Sequence, residues 1–279
     1  MFDTIIIGSG PSGISAAIYL KRFGFNVLVI GKDYGTLAIN TPIENYYGIS
    51  KINGIELIEQ GIKQAIDLGI DVLKEEVLKI ELGDVFTVST TNCSYTCKSV
   101  YLATGMKRNT LNIPGIKDFE GKGVSYCAVC DGFLYRKKKI AIIGSGDYMK
   151  SELEVLKRFS KDIIVFTNGK EVELDEVVVT DKITSLSGTE KVECVVTTSN
   201  SYNIDCVFIA EGAASGFSFA KHLGILLDDH DHIVVNDYQT NIVGIFAGGD
   251  VIGGVKQIVK AASDGCCAAY KIKEYLKGN

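Results

Sequence analysis

The chain contains the same strand, glycine-turn and helix pattern twice, and this repeat limits the possible folds more than any other feature. An apolar run at 3–7 leads into Gly8-Ser9-Gly10-Pro11-Ser12-Gly13, followed by a helical pattern and a second strand. Another apolar run at 140–143 leads into Gly144-Ser145-Gly146-Asp147-Tyr148-Met149, and this second glycine turn begins 136 residues after the first. Because strands alternate with helices in both places, we predict an α/β fold with two dinucleotide-binding, Rossmann-like three-layer domains.

The order of the segments predicts that the second domain is inserted into the first. Residues 241–254 and the helical pattern over 256–276 do not continue the second unit, and they supply the missing end of the first one. We therefore assign 1–111 and 214–279 to one discontinuous domain. Residues 112–213 form the inserted domain, which at about 100 residues is small for a complete nucleotide-binding domain.

Composition and charge argue against several classes of function. A chain of 279 residues with 46% hydrophobic and 23% charged residues is expected to be soluble, and its net charge of −5 gives no reason to expect nucleic-acid binding. The apolar runs are too short to cross a membrane. The N-terminus has no basic region or cleavage site, so we expect a cytoplasmic protein whose eight cysteines do not form a disulfide framework.

The first glycine turn has the context of a nucleotide-binding site. Gly8 and Gly10 let the backbone turn and approach a pyrophosphate, Gly13 lets helix and strand pack closely, and the helix N-terminus offers free N–H groups. A strand-to-helix turn without a ligand is the alternative. The acid that usually binds the ribose at the end of the second strand is replaced by Gly31, so either Asp33 substitutes for it or the backbone alone holds the adenosine.

The segment Phe246-Ala247-Gly248-Gly249-Asp250-Val251 is a second cofactor signal, since a strand there ends in a glycine pair and an acid. A helical pattern begins a few residues later. This order suits a carboxylate that holds a ribityl hydroxyl and a helix N-terminus that faces a flavin ring, where positive potential favours the anionic reduced flavin. The alternative is a plain turn capped by Asp250.

The segment Cys127-Ala128-Val129-Cys130-Asp131-Gly132 contains two cysteines with the spacing of a redox dithiol. A helix start beside such a pair stabilises thiolates, so the pair predicts disulfide chemistry. Asp131 is placed to take or give the protons that accompany it. A half metal site or two buried thiols are the alternatives, but no second cysteine pair with matching spacing completes a zinc site.

The remaining cysteines and histidines are interpreted as structural. The acidic and histidine-containing cluster at 228–232 is expected to be a solvated loop rather than a metal site. The other cysteines are expected to be core or surface thiols, those on the last helix serving packing: Cys93, Cys97, Cys194, Cys206, Cys266 and Cys267.

Together with Leu102-Ala103-Thr104-Gly105, Ile43-Glu44-Asn45-Tyr46 and Lys256-Gln257-Ile258, these motifs make nearly the whole chain resemble the low-molecular-weight thioredoxin reductases. The resemblance implies FAD in the first domain and a homodimer. It also implies a domain rotation that presents the dithiol alternately to the flavin and to thioredoxin.

The same resemblance implies roles for individual residues. Cys127 attacks the thioredoxin disulfide, Cys130 contacts the flavin, and Asp131 manages the protons. A further set is expected to line FAD: Gly8, Gly10, Pro11, Ser12, Gly13, Asn45, Thr104, Gly105, Gly249, Asp250, Gln257 and Ile258.

The second glycine turn departs from the NADPH-dependent members of that family. There the turn binds NADPH and an arginine-bearing stretch binds its 2′-phosphate. Here Met149 occupies the position of the third small residue of the turn, and the next strand leads into Thr167-Asn168-Gly169-Lys170, which contains no arginine. Lys170 alone is a poor replacement for a bidentate guanidinium. The inserted domain is therefore expected not to bind NADPH, although NADH use or a shifted site would explain the same substitutions.

Within the family, the chain most resembles the ferredoxin-dependent flavin thioredoxin reductases, which have a degenerate second domain. A ferredoxin with a reduction potential of about −400 mV lies below thioredoxin at about −270 mV. Electron transfer from the ferredoxin is therefore downhill by roughly 6 kcal/mol per disulfide. The basic run at 136–139 is either a docking site for an acidic ferredoxin or a solvated strand lead-in.

The sequence therefore predicts an enzyme that passes electrons from reduced ferredoxin through FAD and the Cys127–Cys130 dithiol to thioredoxin. An NAD(P)H-dependent thioredoxin reductase and a related dithiol flavoprotein with an unidentified donor are the alternatives within the family. A redox-sensing flavoprotein without turnover is the alternative from a different class.

Overall fold

A computed structural model gives the fold of the chain and describes residues 1–38, 42–105, 111–126, 128–211 and 216–278. The side chains of Val129 and Cys130 lie outside this description. The chain divides into two compact units, the first formed by Met1–Lys107 with Ser215–Asn279 and the second by Arg108–Ala214. The first unit is therefore discontinuous in sequence.

The strands in the described part of the chain are, in order, β1 (Phe2–Ile7), β2 (Val27–Ile30), β3 (Pro42–Ile43), β4 (Ile52–Asn53), β5 (Asp71–Leu73), β6 (Val77–Glu81), β7 (Phe86–Thr90), β8 (Ser94–Leu102), β9 (Val124–Ser125), β10 (Ile140–Ile143), β11 (Ile163–Phe166), β12 (Val177–Val179), β13 (Ile183–Ser187), β14 (Cys194–Thr197), β15 (Ser201–Asn203), β16 (Cys206–Ile209) and β17 (Ile245–Ala247). The α-helices are α1 (Pro11–Arg22), α2 (Gly54–Asp67), α3 (Ala128–Asp131), α4 (Asp147–Leu156), α5 (Gly216–Leu223) and α6 (Ile258–Gly278). Short 3₁₀ helices occur at Gly35–Leu37, Gly132–Tyr135 and Gly249–Ile252.

The first unit is built on a mixed seven-stranded sheet. Its parallel part runs in the order β5-β2-β1-β8-β17, and β6, β7 and β8 add an antiparallel meander. Strand β8 belongs to both parts, because its first residues pair with β7 and its last three pair with β17. The carboxyl ends of the parallel strands meet at one edge, which is where ligands bind in such sheets.

Two helices of the first unit pack closely on each other beside this sheet. Helix α1 lies against α6, and a Cβ atom added to Gly265 would be only 2.1 Å from the carbonyl oxygen of Ser12. The core here includes fully buried Leu20 and Tyr101 together with Ile272 of α6. This contact fixes the start of α1 relative to the last helix of the chain.

The second unit has a five-stranded parallel sheet in the order β12-β11-β10-β16-β9 and a separate antiparallel sheet formed by β13, β14 and β15. The apolar strands β10 and β11 are buried along their whole length, as expected for the centre of a parallel sheet. Helix α4 follows β10 through the second glycine turn. This unit repeats the βαβ start of the first one.

The predicted α/β fold class is confirmed, and the details differ in three places. The alternating pattern at 95–100 and the apolar run at 100–103 predict two separate strands, but these residues form the single strand β8. The sequence after the second glycine turn predicts a helix that continues through Phe159, but α4 ends at Leu156. The sheet of β13, β14 and β15 was not predicted. Among the helices that the structure describes, none is long and apolar enough to cross a membrane.

Candidate functional site

The first glycine turn uses its three glycines in different ways. A Cβ atom added to Gly13 would lie 1.9 Å from the carbonyl oxygen of Gly8, and one added to Gly8 would lie 2.2 Å from that of Ala103. These two positions are therefore closed by packing. An added Cβ at Gly10 meets no atom within 4 Å. The backbone at Gly10, which precedes Pro11 at the start of α1, is thus open to a ligand.

The end of β2 shows why an acid is missing there. A Cβ atom on Gly31 would lie 2.2 Å from Oγ of Ser9, so the serine side chain already fills the space that a larger residue would need. Asp33, two residues on, is exposed, and its Oδ1 accepts a hydrogen bond of 2.9 Å from the N–H of Gly35. Asp33 thus caps a turn, and its role towards a ribose stays a prediction.

The loop after β8 meets two other loops of the same unit. The Oγ1 atom of Thr104 is buried and has no hydrogen-bond partner among the residues described. A Cβ atom added to Gly216 would lie 2.7 Å from this hydroxyl oxygen and 2.3 Å from Val251, the neighbour of Asp250. Gly105 has a positive φ of 70°, and an added Cβ there meets nothing within 4 Å. A buried hydroxyl without a partner and an open backbone lie side by side here.

The Gly-Gly-Asp loop follows β17 and packs against the first glycine turn. A Cβ atom on Gly249 would lie 3.0 Å from Cβ of Ser12, so this loop touches the first glycine turn. The hydroxyl of Ser12 forms a buried hydrogen bond of 2.7 Å with the hydroxyl of Tyr101. Asp250 lies in the 3₁₀ helix Gly249–Ile252 and is half-buried. Burial raises the pKa of its carboxyl, and Lys260 and Lys256 counteract this rise.

The remaining residues expected to line FAD lie near the start of α6. The side-chain amide of Asn45 donates a hydrogen bond of 3.1 Å to Oε1 of Gln257. Ile258 is the first residue of α6. These contacts link the segment after β3 to the N-terminus of the last helix, although they are far apart in sequence.

These residues fit the FAD that the sequence resemblance implies. The fit is seen in the open backbones at Gly10 and Gly105 and in the buried, unpartnered hydroxyl of Thr104. A helix N-terminus at Pro11 is suited to a pyrophosphate, and a half-buried carboxyl at Asp250 is suited to a sugar hydroxyl. The set gathers at the carboxyl edge of the parallel strands.

The dithiol segment lies in the second unit. Cys127 is outside the described residues, and Cys130 lies in the short helix α3, with its side chain also outside them. Asp131 ends α3, and its Oδ2 accepts a hydrogen bond of 2.6 Å from the hydroxyl of Ser125 at the end of β9. The predicted proton carrier is therefore held by the strand that precedes the dithiol.

Helix α3 is anchored by a buried acid of α4. Oε2 of Glu152 accepts a hydrogen bond of 2.7 Å from the backbone N–H of Ala128, the first residue of α3. The residues that follow α3 carry two exposed apolar side chains, Phe133 at 61% and Leu134 at 71% exposure. The helix of the dithiol motif is thus anchored at its first residue, and an exposed apolar surface follows it.

The second glycine turn is filled by its own side chains. Met149 is fully buried, and a Cβ atom on Gly144 would lie 2.9 Å from its Cβ. Tyr148 is also buried, and its hydroxyl donates a hydrogen bond of 3.3 Å to the carbonyl of Tyr126. Asp147 places a carboxylate in the first turn of α4, where a phosphate would otherwise find positive potential.

Lys170, the cation that follows β11, is already paired. Its Nζ lies 2.5 Å from Oε1 of Glu211, which follows β16, and the backbone carbonyl of Lys170 accepts a hydrogen bond from Thr167. The second oxygen of Glu211 is buried without a hydrogen-bond partner among the described residues. An added phosphate at this edge would meet a carboxylate that neutralises the lysine.

The other cysteines are free thiols where the structure describes them. Cys97 and Cys206 are buried, and burial raises the pKa of Cys97 to about 12 and that of Cys206 above its usual range. Cys194 and Cys266 are partly buried, whereas Cys93 and Cys267 are exposed. The buried and partly buried positions fit the roles expected from the sequence, but the packing role expected for Cys267 is wrong, because this residue faces solvent on α6.

The cluster at 228–232 is a turn. Oδ1 of Asp228 accepts hydrogen bonds from the backbone N–H groups of His230 and His232, and these bonds lower the pKa of its carboxyl, the bond from His232 most strongly. No group of three or more metal-ligating side chains is found within the described residues. The motif is accounted for by the hydrogen bonds of the turn.

Several residues of the site carry no motif and were missed in the sequence. Ser9 at the first turn, the Tyr101 hydroxyl, and the pair Lys260 and Asp264 all support the loops described above. The one signal in the sequence was the spacing of four residues between Lys260 and Asp264, which places them on one helix face. Glu211, the partner of Lys170, gave no signal because the two residues follow different strands that are distant in sequence.

Comparison with protein families places these features in a wider group. A family model described as "Pyridine nucleotide-disulphide oxidoreductase" matches residues 2–173 and 152–265. The thioredoxin reductase of Ureaplasma parvum serovar 3 is 32% identical over 303 aligned positions, covering 100% of this chain and 98% of the relative. That of Buchnera aphidicola subsp. Baizongia pistaciae is 33% identical, covering 98% of this chain and 94% of the relative.

Solved structures resemble the chain over its whole length. The atypical thioredoxin reductase TRi from Desulfovibrio vulgaris Hildenborough is 34% identical with a TM-score of 0.94, covering 100% of this chain and 99% of that one. A ferredoxin-flavin thioredoxin reductase from Clostridium acetobutylicum is 31% identical with a TM-score of 0.78 and the same coverage. A thioredoxin reductase from Lactococcus lactis is 30% identical with a TM-score of 0.59, covering 100% of both chains.

Proposed function

The chain belongs to the low-molecular-weight thioredoxin reductases within the pyridine nucleotide-disulphide oxidoreductase family. We therefore propose that it uses FAD and the Cys127–Cys130 dithiol to reduce thioredoxin. We further propose that reduced ferredoxin, and not NADPH, supplies the electrons. The functional division that we propose is an FAD domain at 1–111 and 214–279 and a dithiol domain at 112–213, in a cytoplasmic homodimer.

The proposed outlet is a thiol–disulfide exchange. The thiolate of Cys127 attacks one sulfur of the thioredoxin disulfide, which forms a mixed disulfide and releases one thioredoxin thiolate. The thiolate of Cys130 then attacks the sulfur of Cys127 and releases the second thiolate, leaving a Cys127–Cys130 disulfide. Asp131, fixed by its bond to Ser125, is positioned beside Cys130 in sequence to exchange the protons. The exposed Phe133 and Leu134 next to this motif offer an apolar surface for thioredoxin.

The proposed inlet site is the FAD domain. Bound FAD would supply the two electrons that return the Cys127–Cys130 disulfide to the dithiol. The start of α1 at Gly10 and Pro11 would hold its pyrophosphate, and Asp250 would accept a hydrogen bond from its ribityl chain. Thr104, whose buried hydroxyl has no partner in the described residues, would lie where the loops that enclose the FAD meet.

The observation that carries the choice of donor is the ion pair between Lys170 and Glu211. NADPH has a 2′-phosphate with a charge near −2, and this edge offers it a neutralised lysine and a buried carboxylate oxygen. Asp147 adds a carboxylate at the N-terminus of α4, where a pyrophosphate would bind. The first position offers the 2′-phosphate no free positive charge, and the second opposes the pyrophosphate with a negative one.

A protein donor is compatible with the surface of this domain. Arg136, Lys137 and Lys138 are exposed, and the guanidinium of Arg136 lies 5.3 Å from the ring centroid of Phe133. A cluster of cations suits an acidic ferredoxin because opposite charges steer association. The gap of roughly 6 kcal/mol between a low-potential ferredoxin and thioredoxin supplies the driving force. A dithiol flavoprotein of the same family with an unidentified donor is the alternative.

The outlet is tested by following thioredoxin reduction over many turnovers while the flavin of the holoenzyme is kept reduced by continuous illumination with a sacrificial donor. The native protein is expected to convert oxidised thioredoxin to its dithiol, whereas Cys130→Ser is expected to hold a reducible flavin and to form no thioredoxin dithiol catalytically. Cys97→Ser, which removes a buried thiol with a high pKa, is the matched control and is expected to behave like the native protein. Sustained turnover by Cys130→Ser contradicts the proposed role of the dithiol.

The inlet is tested by calorimetric titration of the oxidised holoenzyme with NADPH. We expect no binding at nucleotide concentrations on the order of 100 µM, which lie well above the affinity of a functional site. The variant Glu211→Gln frees Lys170 from its carboxylate and serves to detect residual affinity. Tight binding by the native protein that is lost in Lys170→Ala contradicts the proposal, because it shows an intact 2′-phosphate site.

A further inference from the structure

The geometry points to Lys260 as a positioning residue that holds the turn Gly249–Gly253 in the form that binds FAD. This inference rests on the proposed binding of FAD by the first unit. It goes further by assigning a role to an ion pair that none of the sequence motifs contains. The turn is the segment that presents Asp250, and Lys260 lies in the first turn of α6.

Lys260 contacts both ends of the turn. Its Nζ donates a hydrogen bond of 3.2 Å to the carbonyl of Gly249 and one of 2.9 Å to the carbonyl of Gly253. The same ammonium forms an ion pair of 2.7 Å with Oδ2 of Asp264, one helical turn further along α6. A single cation thus ties the two glycines to the helix.

Asp264 completes the clamp from the other side. Its Oδ2 accepts a hydrogen bond of 2.8 Å from the backbone N–H of Gly249, while Lys260 binds the carbonyl of that same residue. Asp264 is only 5% exposed, so its carboxylate needs a charged partner at this depth. The backbone orientation of Gly249 is therefore fixed at both of its polar groups.

The turn needs such support because of its backbone. Gly249 and Gly253 have φ values of 80° and 76°, in the left-handed region, and Asp250 lies between them. A turn with two such residues has many accessible alternatives when it is not held, because glycine is conformationally free. Fixing both glycines fixes the direction in which the carboxyl of Asp250 points.

The position of Lys260 in the helix supports a role beyond helix stability. A cation in the first turn is opposed by the positive end of the helix dipole, and the first turn of α6 contains no acid that offsets it. A residue that breaks a local preference is expected where it serves a site. Here the contacts to two loop carbonyls and a buried carboxylate account for the choice of lysine.

The test compares Lys260→Met and Lys260→Arg with the control Lys271→Met. Lys271 lies on the same helix and pairs with Asp237 at 2.7 Å, away from the turn. FAD dissociation constants are measured by flavin fluorescence as each holoprotein is diluted. We expect Lys260→Met to weaken FAD binding about tenfold or more, since two hydrogen bonds from a charged donor are lost. Lys260→Arg is expected to recover most of the affinity, and Lys271→Met to match the native protein.

Amide hydrogen exchange of the holoprotein supplies a second measurement, with Asp264→Asn in place of Lys260→Met if the latter fails to fold. We expect faster exchange at Gly249 and Gly253 in the variant than in the native protein. Native affinity and native exchange in the Lys260 or Asp264 variants overturn the inference. Equal loss of affinity in Lys271→Met also overturns it, since the effect is then general. A native protein that binds no FAD contradicts the proposed function itself.

Discussion

Two glycines three residues apart in the first turn have separable roles. Gly13 lies against the carbonyl of Gly8, whereas Gly10 faces open space and has an ordinary φ of −77°. Packing therefore requires glycine at position 13. At position 10, where packing makes no such demand, the close approach of a ligand explains why the residue is glycine. The same G-x-G-x-x-G pattern thus combines a structural and a binding requirement.

Alanine at each position separates these requirements. Gly13→Ala is expected to destabilise the flavin-free protein by about 3 kcal/mol or to prevent folding, because the neighbouring backbone cannot move away. Gly10→Ala is expected to change stability by less than about 1 kcal/mol and to weaken FAD binding at least about tenfold. Urea unfolding of the flavin-free protein and flavin fluorescence give the two quantities. Equal effects of the two substitutions on both quantities contradict the separation.

The carboxyl of Asp250 is expected to lower the stability of the flavin-free protein and to strengthen the binding of FAD. Burial raises its pKa, with a smaller contribution from Asp264 in the same direction, while Lys260 and Lys256 act against the rise. The folded, flavin-free chain therefore binds this proton more tightly than the unfolded chain does. At a pH above the ordinary pKa of the carboxyl, ionisation of Asp250 therefore lowers the free energy of unfolding. This loss disappears at low pH, where the carboxyl is protonated in both the folded and the unfolded chain.

The substitution Asp250→Asn is therefore expected to raise the Tm of the flavin-free protein at pH 7. The difference from the native protein should shrink as the pH falls towards about 4, the ordinary pKa of an aspartate. The same variant is expected to bind FAD more weakly, since an amide is a poorer acceptor than a carboxylate. Thermal unfolding at several pH values measures the first effect. A lower Tm at pH 7, or a difference that does not depend on pH, is the contrary result.

At the scale of elements, short helix α3 depends on its neighbour α4. Four residues are too few for a stable helix by themselves, and the bond from Ala128 to Glu152 ties the helix start to a longer element. The same carboxylate places negative charge at a helix N-terminus, where positive potential would otherwise stabilise thiolates. Glu152 is thus expected to set the redox potential of the dithiol as well as its position.

Glu152→Gln keeps an acceptor for Ala128 and removes the charge. We expect the midpoint potential of the dithiol to rise by up to about 30 mV, because the reduced form gains thiolate stability. Glu154→Gln is the matched control, since Glu154 is on the same helix but pairs with Lys157 at an exposed position. Equilibration with glutathione buffers measures both variants. A lower potential for Glu152→Gln, or an equal rise for the control, argues against this role.

At the scale of the whole molecule, the sequence was sufficient where the requirement is local. The glycine turns, the buried strands β1, β10 and β11 and the long helix α6 are each encoded in contiguous residues, so pattern and spacing predicted them. The fold class followed from their order. Strand β8 was predicted as two pieces because its polar first half pairs with β7 and its apolar second half with β17, a difference that only the sheet reveals.

Contacts between distant segments could not be predicted from the sequence. Gly31 differs from the expected acid because Ser9 occupies the space, and that contact exists only once β1 and β2 are paired. Lys170 and Glu211 are 41 residues apart and meet because β11 and β16 both border β10. The sequence indicated that Lys170 replaces an arginine poorly. The ion pair gives the physical reason why this edge of the second unit is unfavourable for a phosphate.

The source of the electrons is the central claim of this account, and one anaerobic measurement tests it most directly. Holoenzyme and oxidised thioredoxin are supplied with either reduced ferredoxin or NADPH as the sole donor, and thioredoxin thiols are counted over time. We expect steady thioredoxin reduction with ferredoxin and a rate at least about tenfold lower with NADPH. Stoichiometric bleaching of the flavin by NADPH, followed by thioredoxin turnover at a rate equal to or above that with ferredoxin, contradicts it.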